Sequence, residues 1–248
     1  MKNILKIIKE ELSPGKIIAN VLTNAMLSFL LYLVIYLAYT TSFINHQTMS
    51  GELFVLPNII AFSTLLYTFL LSLSEWDKVV NNKSYIYSLK SAGIFEFSIY
   101  FGKIKSLILH SWIAFITSSV VIIPLSGASI RFSYFCYFML FLLLSAIMII
   151  LATGFIKLLI RSNNFAQLHV IFLFILLFLL SGLFIPHYLY SGPIYTILKY
   201  LPFGIILDGC RKLLINNEFI LIELLYVSIL TISLAITNYI LYKKELEK

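Results

Sequence analysis

The sequence predicts an all-α integral membrane protein of about six transmembrane helices, and three observations carry that expectation. Of the 248 residues, 60% are hydrophobic and only 12% charged, with a mean hydropathy of +0.97. So apolar a chain cannot wrap one soluble core in a polar surface. The apolar residues also fall in runs of roughly 20, the length that crosses the hydrocarbon core as a helix. Finally, basic residues flank those runs. The net charge of +7 therefore reads as a topology signal and not as a nucleic-acid footprint. Residues 1–248 leave no room for a separate soluble domain and read as a single transmembrane unit.

In chain order, residues 1–15 put Ile4, Leu5, Ile8 and Leu12 on one helical face and Lys2, Lys6 and Lys9 opposite. That is the layout of an amphipathic helix lying in the headgroup plane. Ser13-Pro14-Gly15 breaks it, and no cleaved signal peptide is expected, because no short apolar stretch with a small-residue cleavage site follows the basic start. The first span covers 17–39. A connection carrying Asn45, His46 and Glu52 but no Lys or Arg leads to the second, 53–73. Residues 75–105 form the longest polar stretch, in which Glu75, Asp77, Lys78, Lys83, Lys90, Glu96, Lys103 and Lys105 alternate with tyrosines and phenylalanines. The third span covers 107–125 and the fourth 132–159, joined by Ser126-Gly127-Ala128. Arg161-Ser162-Asn163-Asn164 returns the chain to a fifth span, 168–184. An uneven stretch, 185–215, is punctuated by Pro186, Gly192, Pro193, Pro202 and Gly204, and the last span is 219–242.

Placing both termini in the cytoplasm gathers the N-terminal lysines, the lysines of 75–105, Lys157, Arg161, Lys243, Lys244 and Lys248 on the inner side. Only Arg131, Lys199, Arg211 and Lys212 remain outside. The positive-inside rule selects that orientation in a cell membrane.

Little in the sequence can carry chemistry. His46, His110, His169 and His187 stand apart from carboxylates at useful spacing, and Cys136 and Cys210 lack metal-ligand spacing. The histidines read as satisfied interfacial residues and the cysteines as small buried apolar ones. No catalytic residue, metal site or bound cofactor is expected. The spans hold almost no ionisable group, Glu223 lying about one turn inside the last, which removes the usual feature of an ion-coupled carrier. No interrupted helices recur in matching halves. No glycine-rich phosphate loop occurs either, so any ATP-driven activity requires a separate ATPase that holds the ATP and magnesium. Tyr85 to Phe101 is too polar to span and too aromatic for a solvated linker. It reads as a short amphipathic helix, either docked on a partner or lying at headgroup level on the inner leaflet.

Two segments resemble those of the ABC type-2 permeases, the membrane subunits of ATP-binding-cassette exporters. Glu75 and Asp77, then Ser88-Leu89-Lys90-Ser91-Ala92-Gly93-Ile94-Phe95-Glu96 and Tyr100-Phe101-Gly102-Lys103, are similar to the family's coupling-helix region. Many members have proline where this chain has Gly93. The second segment is more specific. Ser181-Gly182-Leu183-Phe184-Ile185-Pro186, then Leu201-Pro202-Phe203, then Asp208-Gly209-Cys210-Arg211 are similar to the family's S-G-x-F-x-P, second proline and D-x-x-R series after the fifth span.

The resemblance implies that Ser91, Gly93, Ile94, Phe95, Glu96 and Phe97 belong to a cytoplasmic helix meeting the ATPase. It further implies that Gly182, Pro186, Pro202, Asp208 and Arg211 belong to short re-entrant helices at the outer face. Irregular backbone at that depth must be buried in protein, and Asp208 and Arg211, at i and i+3, can pair on one helix face. A dimer of permeases is implied, identical or mixed, with one ATPase beneath each and the path between the copies. Within the family, the chain resembles small permeases that Gram-positive bacteria use to export amphipathic or cytolytic peptides, including bacteriocins. An ion-coupled carrier and a non-transporting membrane scaffold or sensor are the alternatives. Neither accounts for the aromatic inner stretch and the outer proline segment together.

Overall fold

A computed structural model describes residues 13–42, 51–81, 91, 95–127, 130–160, 164–183 and 192–246. The expected interfacial helix of residues 1–15 lies almost wholly outside them. The described residues form helices and no strand: α1 (Pro14–Ser42), α2 (Gly51–Asn81), α3 (Glu96–Ser126), α4 (Phe132–Ile160), α5 (Asn164–Phe178), α6 (Pro193–Tyr200), α7 (Pro202–Arg211) and α8 (Leu221–Leu246). Single π-helical turns, Leu179–Leu183 and Lys212–Asn216, continue α5 and α7. Five helices, α1, α2, α3, α4 and α8, are long and apolar enough to cross a membrane. Where a fifth span is expected from the sequence, the structure has a shorter apolar helix, Gln167–Leu183.

The spans reach further than their apolar runs. At 31 residues, α2 is about 46 Å long against a hydrocarbon core of about 30 Å. Its last turns, Glu75 to Asn81, therefore stay helical although the sequence there is polar. Likewise α3 begins at Glu96, well before its apolar run. Much of the expected inner loop is thus helix continuous with two spans.

The centre of the fold is α2. Its apolar window is 89% buried, against 17% for each of the windows in α1 and α8. It packs on α3 and α4, α1 contacts both α2 and α3, and α8 lies on the far side of α4. The apolar face that α1 leaves open, with Ile18, Leu22, Met26 and Val34, suits lipid or another apolar chain. α5 joins through rings: Phe174 stacks on Phe69 at 3.9 Å, and Phe178 lies 5.0 Å from Phe62.

A helix enclosed by protein can carry polar groups if its neighbours answer them. The hydroxyl of Ser118 on α3 does so for two neighbours. It receives bonds from Asn24 Nδ2 and Ser63 Oγ, each at 2.9 Å, and shares a third with Ser28 Oγ at 2.9 Å. Thr68 Oγ1 donates to Ser111 Oγ at 3.0 Å, and Ser72 pairs with Thr153 on α4. His110 meets Asn20 at 2.9 Å. This histidine is satisfied, as its isolation in sequence predicts, but inside the bundle instead of at its surface.

Candidate functional site at the two ends of α2

The sequence-singled residues assemble at opposite ends of α2. At the Asn58 end, Pro202 occupies the first turn of α7, a position where its missing N–H costs nothing. Leu201 before it is extended, as a residue preceding proline must be. Phe203, Ile206, Leu207 and Cys210 form the buried face of α7, so Cys210 is the small apolar filler its sequence context predicts, while Cys136 is half-buried. Phe203 lies 5.1 Å from Phe174 and 4.6 Å from Phe178. Gly209 lets α7 approach α4: a Cβ there would stand 2.7 Å from Cε1 of Phe141.

Arg211 binds these pieces together. Its NH1 group donates to Asp208 Oδ1 at 2.8 Å, the i, i+3 pair expected from sequence. Its Nε donates to Asn58 Oδ1 on α2 at 3.0 Å, and its second terminal nitrogen donates to the Gly182 carbonyl. Asn58 in turn donates from Nδ2 to the Leu183 carbonyl at 3.2 Å. These two carbonyls need partners because α5 breaks here. Ser181 and Gly182 leave helical φ/ψ, and Gly182 has φ 92, a left-handed value that only glycine adopts without strain. Arg211 and Asn58 thus supply what the ladder no longer can. Gly182, Pro202, Asp208 and Arg211 are therefore gathered in one place, whereas Pro186 lies outside the described residues.

One further tie closes this end. Lys212 Nζ lies 2.5 Å from Glu223 Oε1, joining the turn after α7 to the first turn of α8. The hydrogen bond to Glu223 is the main reason that the Lys212 ammonium titrates above its ordinary range, with burial acting against it. Glu223, expected from the sequence about one turn inside the last span, lies in the first turn of α8 and is thereby accounted for.

The opposite end carries the charge. Lys103 Nζ on α3 lies 2.6 Å from Glu75 Oε2, and Lys78 pairs with the other oxygen of Glu75. Asp77 Oδ1 accepts from Lys157 on α4 at 2.5 Å, from Gln167 at 2.9 Å and from Asn81 at 2.8 Å. Lys103 and Lys157 are each 2% exposed, so both ammonium groups depend on these carboxylates. Between them, Trp76 Nε1 donates to the Ile150 carbonyl at 3.1 Å. Its ring sits 5.8 Å from Tyr100 and 6.4 Å from Tyr242 on α8.

Beside this cluster α3 begins with an open aromatic edge. Phe95 caps the helix in extended conformation and is 80% exposed; Phe97 is 56% exposed. Phe97 leans on Phe101 at 4.3 Å and on Tyr239 at 6.0 Å. Ser91 is helical and exposed. Gly93, Ile94 and the side chain of Glu96 lie outside the described residues, although Glu96 itself is the first residue of α3.

The sequence reading missed Asn58. An asparagine within an apolar run carries no periodic signal, and its partners, Leu183 and Arg211, lie 125 and 153 residues away in the chain. Among the described residues, no three of His, Cys, Asp and Glu converge as metal ligands.

A family model described as ABC-2 type transporter matches residues 8–215 of this chain. No curated protein and no solved structure matches it.

Proposed function

The chain belongs to the ABC-2 type transporter family and is a transmembrane subunit of an ABC transporter, and on that footing we propose that it forms an exporter's translocation path as a dimer driven by a separate ATPase. The family match over residues 8–215 is the observation that carries this reading. In it, the Glu75 end of α2 faces the cytoplasm with both termini, and the ATPase docks against the start of α3. The exposed Phe95 and Phe97 support that assignment, since an open aromatic edge beside a charged cluster is the composition of an interface core and rim. ATP and magnesium bind in the ATPase, not in this chain. Closure of the ATPases would push on the Ser91–Phe97 region and switch the helices between inward and outward access. The proposed cargo is an amphipathic peptide of the cytolytic or bacteriocin type, in a Gram-positive membrane. That part rests on the resemblance of the whole chain to small permeases.

The test is purification of the tagged protein from native membranes in mild detergent, with mass spectrometry of what stays bound. A stoichiometric P-loop ATPase is expected. The chain alone, even after gentle crosslinking, would remove the exporter reading. At the docking edge, Glu96→Lys is expected to lower ATPase recovery or transport per ATP at least fivefold, because charge reversal repels the surface that receives it. Unchanged assembly and transport would take Glu96 out of the interface.

A further inference from the structure

We propose that Asn58 is a positioning residue that fuses the break after α5, and helix α7, to α2, so that displacement at the Glu75–Asp77 end of α2 is delivered to α7. The case begins with valence. A guanidinium offers five N–H donors in a fixed plane, and among the described residues Arg211 spends them on acceptors from three elements: Asp208 on α7, Asn58 on α2 and Gly182 on the turn after α5. A lysine carries its three donors on one atom and cannot span acceptors that are met here by three separate nitrogens.

Asn58 is matched to this task by having both an acceptor and a donor. Its Oδ1 receives Arg211 while its Nδ2 holds the Leu183 carbonyl. It is fully buried, so neither atom has water as a substitute. Among the described residues the buried face of α7 is otherwise apolar, with Phe203, Ile206 and the Gly209 approach to Phe141, and the Lys212–Glu223 pair ties the turn after α7 to α8, not to α2; apolar contacts permit sliding where a directional pair does not. The Asn58 pair therefore fixes where α7 sits along α2. At its far end the same helix is gripped by Lys103 from α3 and Lys157 from α4. A continuous helix held at both ends transmits displacement along its axis. The inference rests on the permease reading only for what drives the movement, and the lock itself is measurable in the chain alone.

The experiment is hydrogen exchange by mass spectrometry on the full chain in lipid nanodiscs, comparing wild type with Asn58→Leu, Asn58→Asp, Arg211→Lys and Asp77→Asn. In Asn58→Leu and Arg211→Lys, amides of Gly204–Arg211 should exchange at least tenfold faster while those of α4 keep their rates. Asn58→Asp keeps the acceptor for Arg211 and should restore the protection of α7. Asp77→Asn, at the distant end, should speed exchange in α7 about threefold when Asn58 is present and not at all in the Asn58→Leu background. Wild-type protection of α7 in Asn58→Leu overturns the lock. An equal effect of Asp77→Asn in both backgrounds overturns the transmission. Faster exchange in α4 in every variant would make Asn58 a general packing residue and likewise overturn the proposal. None of these outcomes depends on whether an ATPase copurifies, so the failure of one reading is separable from failure of the other.

Discussion

Residue by residue, the bundle depends on whether a buried polar group keeps a partner when another is removed. Glu75 and Asp77 make the contrast. Replacing Glu75 with Gln takes the carboxylate from an ammonium whose side chain is 3% exposed, a loss expected to cost about 3–5 kcal/mol. Replacing Lys157 with Met leaves behind an Asp77 side chain that is 39% exposed and still bonded to Gln167 and Asn81. Water can reach that carboxylate, and the cost should be about 1 kcal/mol or less. Thermal unfolding in one detergent orders the two variants; equal losses would mean that the exposure of the remaining partner does not govern stability here. Ser118→Ala belongs to the same class. It removes the acceptor shared by Asn24 and Ser63 and the partner of Ser28, and about 1–3 kcal/mol should be lost. The sequence showed the pair Asp208–Arg211, because i, i+3 spacing on a helix is local information. It did not show Asn58, Lys103 or Lys157 as partners, because those bonds join residues far apart in the chain.

Among the elements, α7 is the one whose form follows most directly from its sequence. Pro202 starts it, its buried side is apolar, and Gly209 sits where the helix meets the Phe141 ring. Gly209→Ala should push α7 away from α4 and cost about 1–3 kcal/mol by overpacking. A melting temperature within error of wild type would show that the Phe141 ring yields freely. The ends of α2 and α3 were less legible. Hydropathy places a span where side chains are apolar, and Glu75, Asp77 and Lys103 are not. The helix continues because each of these charges finds its counterpart on a neighbouring helix. Helix continuity there is thus a tertiary property, which local composition does not contain. The same holds for the turn after α5, where the glycine and prolines announced an irregularity but not which side chains would satisfy it.

For the whole molecule, the all-helical class was plain in composition; of the six runs expected to span, five appear as helices long and apolar enough to cross a membrane and the other as the shorter Gln167–Leu183. Their arrangement was not plain. That α2 is the enclosed helix is decided by small hydroxyl side chains, Ser63, Thr68 and Ser72, which a hydropathy profile records only as a slight dip. Their burial predicts that bulky substitution there disrupts the bundle where the same change on the open face of α1 does not. Ser63→Leu is expected to abolish the monodisperse peak in detergent chromatography, and Leu22→Phe, at a residue 60% exposed, to leave it intact. Similar profiles for both would mean that α2 is not the helix about which the others pack.

The enclosed position of α2 also bears on how the protein is made. Synthesis delivers α2 to the membrane before α3 and α4, which hold the partners of Ser63, Thr68 and Ser72, and long before Arg211, which answers Asn58. Until then Ser63 and Thr68 have only the carbonyls of their own helix, Ile60 and Thr64, as partners, and Asn58 lacks both of its later ones, in the least apolar of the five long helices. A nascent chain stalled before residue 183 would therefore present an asparagine at the Asn58 end with neither the Leu183 carbonyl nor the Arg211 guanidinium to meet it. Concealment of Asn58 thus waits on the stretch from Leu183 to Arg211, which is made long after α2 itself has entered the membrane.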